Sequence, residues 1–451
     1  MKLLSDSSKS FYASVVSLVL PMALQNLINV AVSAADVIML GNVSETVLSG
    51  ASLAGQIQYI MTLIFFGITS GACVLTAQYW GKGDINVIEK ILGIALKFSL
   101  VTALLFTAAS MIFPVQCVSV FTNESDVIQE GAKYLRVLSI SYIFTSLTTI
   151  YLNIMRSVER VTISTVVYLS SLVCNISLNW ILIFGKFGFP QMGITGAATA
   201  TCISRILEFI IVFLYSNKKN TPVRFKLKYL LRHDKILFKD FVKYSLPVII
   251  NELAWGAGAA MNSLIIGHMG KSAAAANSVA QVTRQLSTVV AFGISNAAAI
   301  MIGKVIGTGD VKKAQNYGKR FTKLIIYIGI ISGLLIILIR PIIINSVLLT
   351  EQAEGYLNMM LFVMSYFVCA QAFNTTMVIG IFRAGGDTLF GLIMDISTMW
   401  GCSILFGGLG AFVFGLSVPA VYIILMSDEI IKIPLSTLRY KRKKWLKSVT
   451  R

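Results

Sequence analysis

The sequence predicts an all-α polytopic membrane protein, with 12 transmembrane helices in two parallel six-helix lobes around a central cavity. Composition, segment length and internal repetition lead there together. Of 451 residues, 56% are apolar and 13% charged, and the mean hydropathy is +0.78. Soluble domains carry about 25% charged residues, so no water-soluble core could hide this much apolar surface. At about 20 residues per crossing, twelve apolar stretches are each long enough to span. The chain also repeats at a fixed offset of 226 residues.

At the N-terminus, MKLLSDSSKSFYAS has no small-residue cleavage site before the first apolar run, which is therefore expected to remain as an uncleaved span. Spans are expected at about 15–40, 50–80, 92–120, 135–155, 163–185, 194–216, 243–267, 274–302, 322–348, 356–382, 388–408 and 411–430. Helix is expected throughout, because backbone in hydrocarbon must satisfy its own hydrogen bonds and no alternating barrel pattern occurs. The expected organisation is an N-lobe at 1–216, a basic cytoplasmic linker at 217–243, a C-lobe at 244–430 and a basic cytoplasmic tail at 431–451.

The net charge is +18, from 38 Lys plus Arg against 20 Asp plus Glu. Location decides its meaning. Thirty of these cations fall in the N-terminus, every second loop and the tail, and only 4 (Lys133, Lys186, Lys271 and Arg340) in the opposite loops. That asymmetry predicts both termini in the cytoplasm, an even number of crossings and no nucleic-acid partner. The linker NKKNTPVRFKLKYLLRHDKILFKD is expected to lie along anionic membrane lipids. Cys73, Cys117, Cys174, Cys202, Cys369 and Cys402 have no zinc or disulfide spacing, and His233 and His268 lie too far apart in sequence for a metal or proton site.

In the repeat, Leu20 and Pro21 match Leu246 and Pro247, Gly41 matches Gly267, Ser52 and Ala54 match Ser278 and Ala280, and Gly81, Gly83 and Asp84 match Gly307, Gly309 and Asp310. One residue out of that register, Arg156 matches Arg383. Each half holds six spans and so starts on the same side, which makes the repeats parallel. Two like lobes suggest a carrier rather than a channel, for which a selectivity loop would be expected.

Ionisable groups at membrane depth are costly and normally face a cavity or a partner. The best placed are Asp36, Glu252 and Asp395, with Arg284 and the pair Arg205/Glu208. Asp36, five residues before Gly41, should lie roughly 7–8 Å below the external end. It can carry a proton or, held ionised by amides and hydroxyls, a Na⁺. Candidate oxygen ligands are Asn175, Asn179, and Thr199 or Thr201, the asparagines being four apart and so on one helix face. The alternative is that Asp36 only fixes helix packing.

Glu252 follows Pro247 by five residues, and its repeat counterpart is Asn26. Each proline removes a backbone hydrogen bond and permits a kink. Glu252 can bind an organic cation or a coupling ion, or else form an internal pair with Arg284. Asp395 is expected to line an inner vestibule, while Arg205 and Glu208, at i,i+3, are expected to neutralise each other. Gln25, Asn26, Asn29, Gln56, Asn251, Gln281 and Asn374 are expected to line a wet cavity or to knit helices together. Trp255, Phe144, Phe373 and Met377 can form an adaptable wall for aromatic cations, or simply pack.

The segments LPMALQNLINVAVSAADVIMLG, NISLNWILIFG followed by GITGAATAT, LPVIINELAWGAGAAMNSLIIGHMG and IFRAGGDT together resemble the multidrug and toxic compound extrusion (MATE) family, over nearly the whole chain. The resemblance implies export of cationic, amphipathic small molecules in exchange for Na⁺ or H⁺, by alternating access. By position, Asp36 corresponds to that family's first-span carboxylate, Asn175 to its fifth-span ion-site asparagine and Glu252 to its seventh-span acid. Asn179 and Asn374 stand where some members carry Asp, which leaves Na⁺ and H⁺ both open and allows Asp395 a compensating role. The expected molecule is a monomer in a plasma membrane, the inner membrane of a bacterium, with no cofactor beyond the coupling ion.

Two other readings are weighed against this one. A flippase for lipid-linked saccharides or another lipid precursor would need a basic cavity for pyrophosphate, and the deep acids favour cationic cargo instead. An intramembrane enzyme would need a catalytic cluster of His, Ser or paired Asp, which the spans lack. No Walker motif is present, so ATP is not expected to drive transport directly on this chain.

Overall fold

Long runs of Leu, Ile, Val and Ala unbroken by charge fold as helices from end to end in the computed structural model, which describes residues 8–218, 220–231, 234–347 and 349–451. His233 and the first seven residues lie outside the described residues. Among the described residues there is no strand. The first span is Ser8–Gly41, the second Glu45–Lys82, the third Ile85–Ile112, the fifth Thr162–Phe184 and the sixth Gly193–Ser216. Lys235–His268, Lys271–Gly307 and Val311–Asn345 are the seventh to ninth. The tenth, Glu351–Thr375, widens into π-helical turns at Thr376–Phe382, and the eleventh runs Thr388–Asp395, Ile396–Ile404, Leu405–Phe412 with its middle section likewise widened.

Ten described helices are long and apolar enough to cross a membrane, and an eleventh crossing is the pair Ser125–Leu138 and Ser141–Ser157, bent by 55°. The twelfth segment corrects the sequence expectation of 411–430. Residues 413–417 form an apolar turn with Gly415 at φ 60°, and the helix follows as Val418–Leu425 and Asp428–Lys441. Hydropathy misplaced it because the turn is greasy while the helix carries Asp428, Glu429 and Lys432. The expected tail therefore starts eleven residues too early, since residues 431–441 are helical. At the other boundary, the C-terminal part of the expected linker is already the start of the seventh helix.

Side chains outside these helices meet hydrocarbon rather than water. On the ninth span Ile326, Tyr327, Ile330, Ile331, Leu334, Leu335 and Leu338 are all exposed, a stripe that only lipid can cover comfortably. Only 22% of that span's most apolar window is buried, against 61% for the second and tenth spans and 67% for the eighth.

The repeated Gly-x-Gly-Asp at 81–84 and 307–310 has a local cause. Gly83 and Gly309 take φ 81° and 82°, conformations that cost other residues strain. Asp84 and Asp310 then cap the next helices, accepting from the backbone N–H of Val87 at 3.1 Å and of Lys313 at 2.9 Å. Gly81 and Gly307 serve packing. A Cβ on Gly81 would strike the carbonyl of Lys304, and one on Gly307 the carbonyl of Gln78. Gln78 and Lys304 are themselves 226 apart, so the second and eighth helices cross at equivalent points of the repeat.

The helices cluster into two units, and their boundaries differ from the expected lobes. One comprises residues 1–19, 77–82 and 246–451, the other 20–76 and 83–245. The first and seventh helices pass from one unit to the other at Leu20 and Leu246, each directly before a proline. A proline leaves the helix one hydrogen bond short, so the chain changes allegiance where its helical continuity is weakest.

In the unit holding 246–451, the tail crosses the C-terminal end of the second helix. Buried Gln78 donates to the carbonyls of Ala384 at 2.8 Å and Lys447 at 3.2 Å, and accepts from the N–H of Val449 at 2.8 Å. Arg439 grips Asp387 with two bonds of 2.7 and 2.8 Å, and Lys447 reaches the same carboxylate at 3.3 Å.

Candidate functional site

In the unit formed by 20–76 and 83–245, the first, fifth and sixth helices bring four expected residues into one hydrogen-bonded row. Asn179 donates to Oδ1 of Asp36 at 2.5 Å and to Oδ1 of Asn175 at 3.1 Å, and Asn175 donates to Thr201 at 3.2 Å. The four-residue spacing of the asparagines stacks them on one face of the fifth helix, as expected. Thr201, rather than Thr199, is the hydroxyl that joins them; Thr199 bonds back to the carbonyl of Thr195. Asn175, Asn179 and Thr201 are buried, whereas Asp36 keeps partial exposure, so the carboxylate is the open end of the row. Oδ1 of Asn179 is buried without a hydrogen-bond partner among the described residues, an oxygen beside a carboxylate. Hard monovalent cations favour such oxygens. Arg205 and Glu208 pair at 2.6 Å on the sixth helix, the expected local neutralisation.

Gln25 does not line a cavity. It is fully buried, donates to the carbonyl of Val161 at 3.3 Å and to Thr165 at 3.0 Å, and accepts from Arg156 at 2.5 Å. A side-chain amide offers two donors and an acceptor, and this one is spent on fastening the first helix to the fourth and fifth. Asn26 is half-buried and Gln56 exposed.

In the other unit the deep acids are held by cations that sequence reasoning did not assign to them. Glu252 accepts from Arg383 at 2.8 Å, not from Arg284, and the pair is 12% and 5% exposed. Arg383 closes the tenth span and was read as a loop cation. Arg284 instead lies over the ring of Trp255, 5.9 Å from its centroid. Gln281, one turn before Arg284, is half-buried.

Asp395 sits beside buried Lys432, with its Oδ1 at 3.1 Å from the ammonium and its Oδ2 accepting from Asn251 at 2.9 Å. The same ammonium contacts Asp428 at 3.0 Å and Glu429 at 3.1 Å. Lys432 is 2% exposed and Asp395 16%, so of this pair Asp395 is the more open member. Three carboxylates thus surround a single ammonium. Oδ1 of Asn251 is buried without a partner among the described residues.

Asn374 is a further correction. It is buried and donates to the backbone carbonyl of Glu429 at 2.6 Å and to its carboxylate at 2.9 Å, while accepting from Ser436 at 3.0 Å. It is a clamp between the tenth and twelfth helices, not a cavity wall. Met377 and Phe373 belong to another cavity, on the ninth, tenth and twelfth helices. Asp428 and Glu429 stood at the end of the expected span 411–430 and Lys432 in the expected tail, so the three were not read together. Their i,i+3 and i,i+4 spacing, with acids one turn before a lysine, was the available signal. Among the described residues no three His, Cys, Asp or Glu side chains gather as a metal-binding group.

A protein-family model described as MatE matches residues 21–181 and 247–409, two stretches whose starts are again 226 apart. The probable multidrug resistance protein YoeA of Bacillus subtilis (strain 168) is 26% identical over 77% of this chain and 75% of its own length. The probable multidrug resistance protein NorM of Thermotoga maritima is 24% identical over 96% of this chain and 92% of its own. Among solved structures, a MATE protein in complex with MaD3S superposes with a TM-score of 0.85 at 18% identity, covering 96% of both chains. A MOP superfamily transporter from Pyrococcus furiosus Vc1 (DSM3638) gives 0.85 at 18% identity, covering 95% of both.

Proposed function

The chain belongs to the MatE family, a multi-pass membrane transporter family, and from that premise we propose that it is a secondary active antiporter. It exports cationic, amphipathic small molecules in exchange for Na⁺ or H⁺ by alternating access. The proposal also takes it to be a monomer of a bacterial inner membrane with both termini in the cytoplasm, neither an enzyme nor a holder of a bound cofactor.

The observation that carries this reading is the row Asp36, Asn179, Asn175 and Thr201. A partly open carboxylate backed by buried amides can take a proton, or can be completed by Na⁺ with the Asp36 carboxylate and the unpartnered Asn179 oxygen as ligands. Cation uptake there changes the charge of a buried group. It biases transport only if the two access states bind the cation with different affinity. Asp395 and Glu252, partly open in the other unit, supply negative charge toward an organic cation, with Trp255 as an aromatic neighbour. A pyrophosphate-bearing cargo is the weaker reading, because Asp395, Asp428 and Glu429 share the one ammonium of Lys432, so acids outnumber cations in that cluster.

The test is efflux of a fluorescent cationic dye from proteoliposomes under separately imposed Na⁺ and H⁺ gradients. Gradient-driven dye movement that Asp36→Asn abolishes is the expected result. Dye movement under neither gradient sinks the proposal.

A further inference from the structure

Between the ninth, tenth and twelfth helices of the unit holding 246–451 lies a cavity of about 690 Å³. Its wall is built from Ile326, Ile330, Ala370, Phe373, Met377 and Ile433. At one end the lining residues turn polar, with Thr322, Thr437, Tyr440 and Lys441, the Thr322 hydroxyl donating to the carbonyl of Gly318 at 2.8 Å. Lys441 is the single charged group among the described residues lining it. The long side is therefore apolar and one end carries a basic residue.

Where the cavity opens, Ile326, Ile330 and Ile430 are 43%, 47% and 46% exposed, so its mouth gives onto hydrocarbon. Apolar contact alone would not distinguish one occupant from the surrounding lipid tails. The charge at the end does. Lys441 is followed by exposed Arg442, Lys443 and Lys444, and exposed Lys323 stands beside Thr322. This is the basic side of the chain, where anionic head groups gather. An organic cation would be repelled there.

We propose that this cavity is a binding site for one anionic phospholipid. An acyl chain lies along the Ile326, Phe373 and Ile433 wall, and the phosphate is held by Lys441 with the neighbouring hydroxyls. The residues beside that end are firmly packed. The Tyr440 ring stacks on Trp445 at 5.8 Å and 7°, Trp445 is 1% exposed, and its Nε1 donates to the carbonyl of Tyr440 at 3.3 Å. A lipid seated there braces the segment that crosses the second helix. The site stands independently of the antiport reading, because it uses none of the residues assigned to coupling or cargo.

The experiment uses the purified full chain in a neutral detergent, titrated with phosphatidylglycerol or with phosphatidylcholine of the same acyl chains. Unfolding temperature and lipid retained in native mass spectrometry are read. Phosphatidylglycerol should bind more tightly and raise the unfolding temperature more than phosphatidylcholine. Lys441→Gln should weaken phosphatidylglycerol binding about fivefold and remove the head-group preference. Ile326→Trp and Ile430→Trp, at exposed positions that tolerate bulk, should block the mouth and reduce phosphatidylglycerol binding while leaving the basic end intact. Equal effects of the two lipids on the parent chain, or a preference surviving Lys441→Gln, would overturn the proposal. Displacement of bound phosphatidylglycerol by a cationic dye in the parent chain would overturn it too, in favour of a drug site.

Discussion

Arg383 donates to Glu252 at 2.8 Å across 131 residues of chain, and Arg156 reaches Gln25 across the same 131. The repeat thus keeps an arginine at the end of the fourth and tenth spans and changes its partner from an amide to a carboxylate. By sequence offset Glu252 faces Asn26, but by bonding it is the counterpart of Gln25, one residue away. The first half uses the position as a neutral clasp, whereas the second has put a charge there.

Glu252→Gln should therefore give the second unit the clasp of the first and unfold at nearly the parental temperature. Arg383→Met leaves a buried carboxylate without its cation and should cost about 3–5 kcal/mol. Thermal unfolding in detergent compares them. Equal losses would show that the ion pair is not what ties the tenth helix to the seventh.

Asp36→Asn should insert and fold normally yet lose at least tenfold in cation-driven dye efflux, because an amide at that place neither ionises nor accepts a proton. Asn179→Ala removes the donor that bonds Asp36 and should shift the cation concentration giving half-maximal efflux while sparing the maximal rate. Rates in proteoliposomes across a series of Na⁺ and H⁺ concentrations check both.

Lys432→Met leaves Asp395, Asp428 and Glu429 facing one another without their shared ammonium. Its cost should fall at the upper end of about 3–5 kcal/mol, or the variant should fail to accumulate in the membrane. Lys432→Met combined with Asp428→Asn and Glu429→Gln should recover much of that loss. Yield and unfolding temperature in detergent decide, and a single variant as stable as the parent would refute the cluster's electrostatic role.

Gly81→Ala and Gly307→Ala each drive a methyl into a backbone carbonyl of the partner helix and should destabilise by about 1–3 kcal/mol. Gly55→Ala, which meets nothing within 4 Å, should be neutral or stabilise by about 0.5–1 kcal/mol. Unfolding temperatures of the three variants, measured together, test whether the repeated glycines exist for helix approach.

Eleven of the twelve crossings were legible because charge-free apolar length is a one-dimensional signal. The bounds of the twelfth were not, because Asp428, Glu429 and Lys432 cancel one another only once they and Asp395 are folded together. The Asp36 row was legible for a similar reason: Asn175 and Asn179 declare their shared face by spacing alone. For Gln25 and Asn374 the sequence left cavity lining and helix clamping both open, since an amide that lines water and one that clamps helices look alike until partners are known. Arg383 was hidden by its position at a helix end, where a cation is ordinary.

The ring of Phe11 packs edge-on against Tyr317 at 5.0 Å and Phe321 at 5.1 Å, so the opening turns of the first helix are finished by the ninth. During synthesis that helix must wait for roughly three hundred further residues to leave the ribosome before its start can settle. A gene cut in the middle linker would thus yield two fragments, each lacking a piece of its own body, and neither would mature without the other.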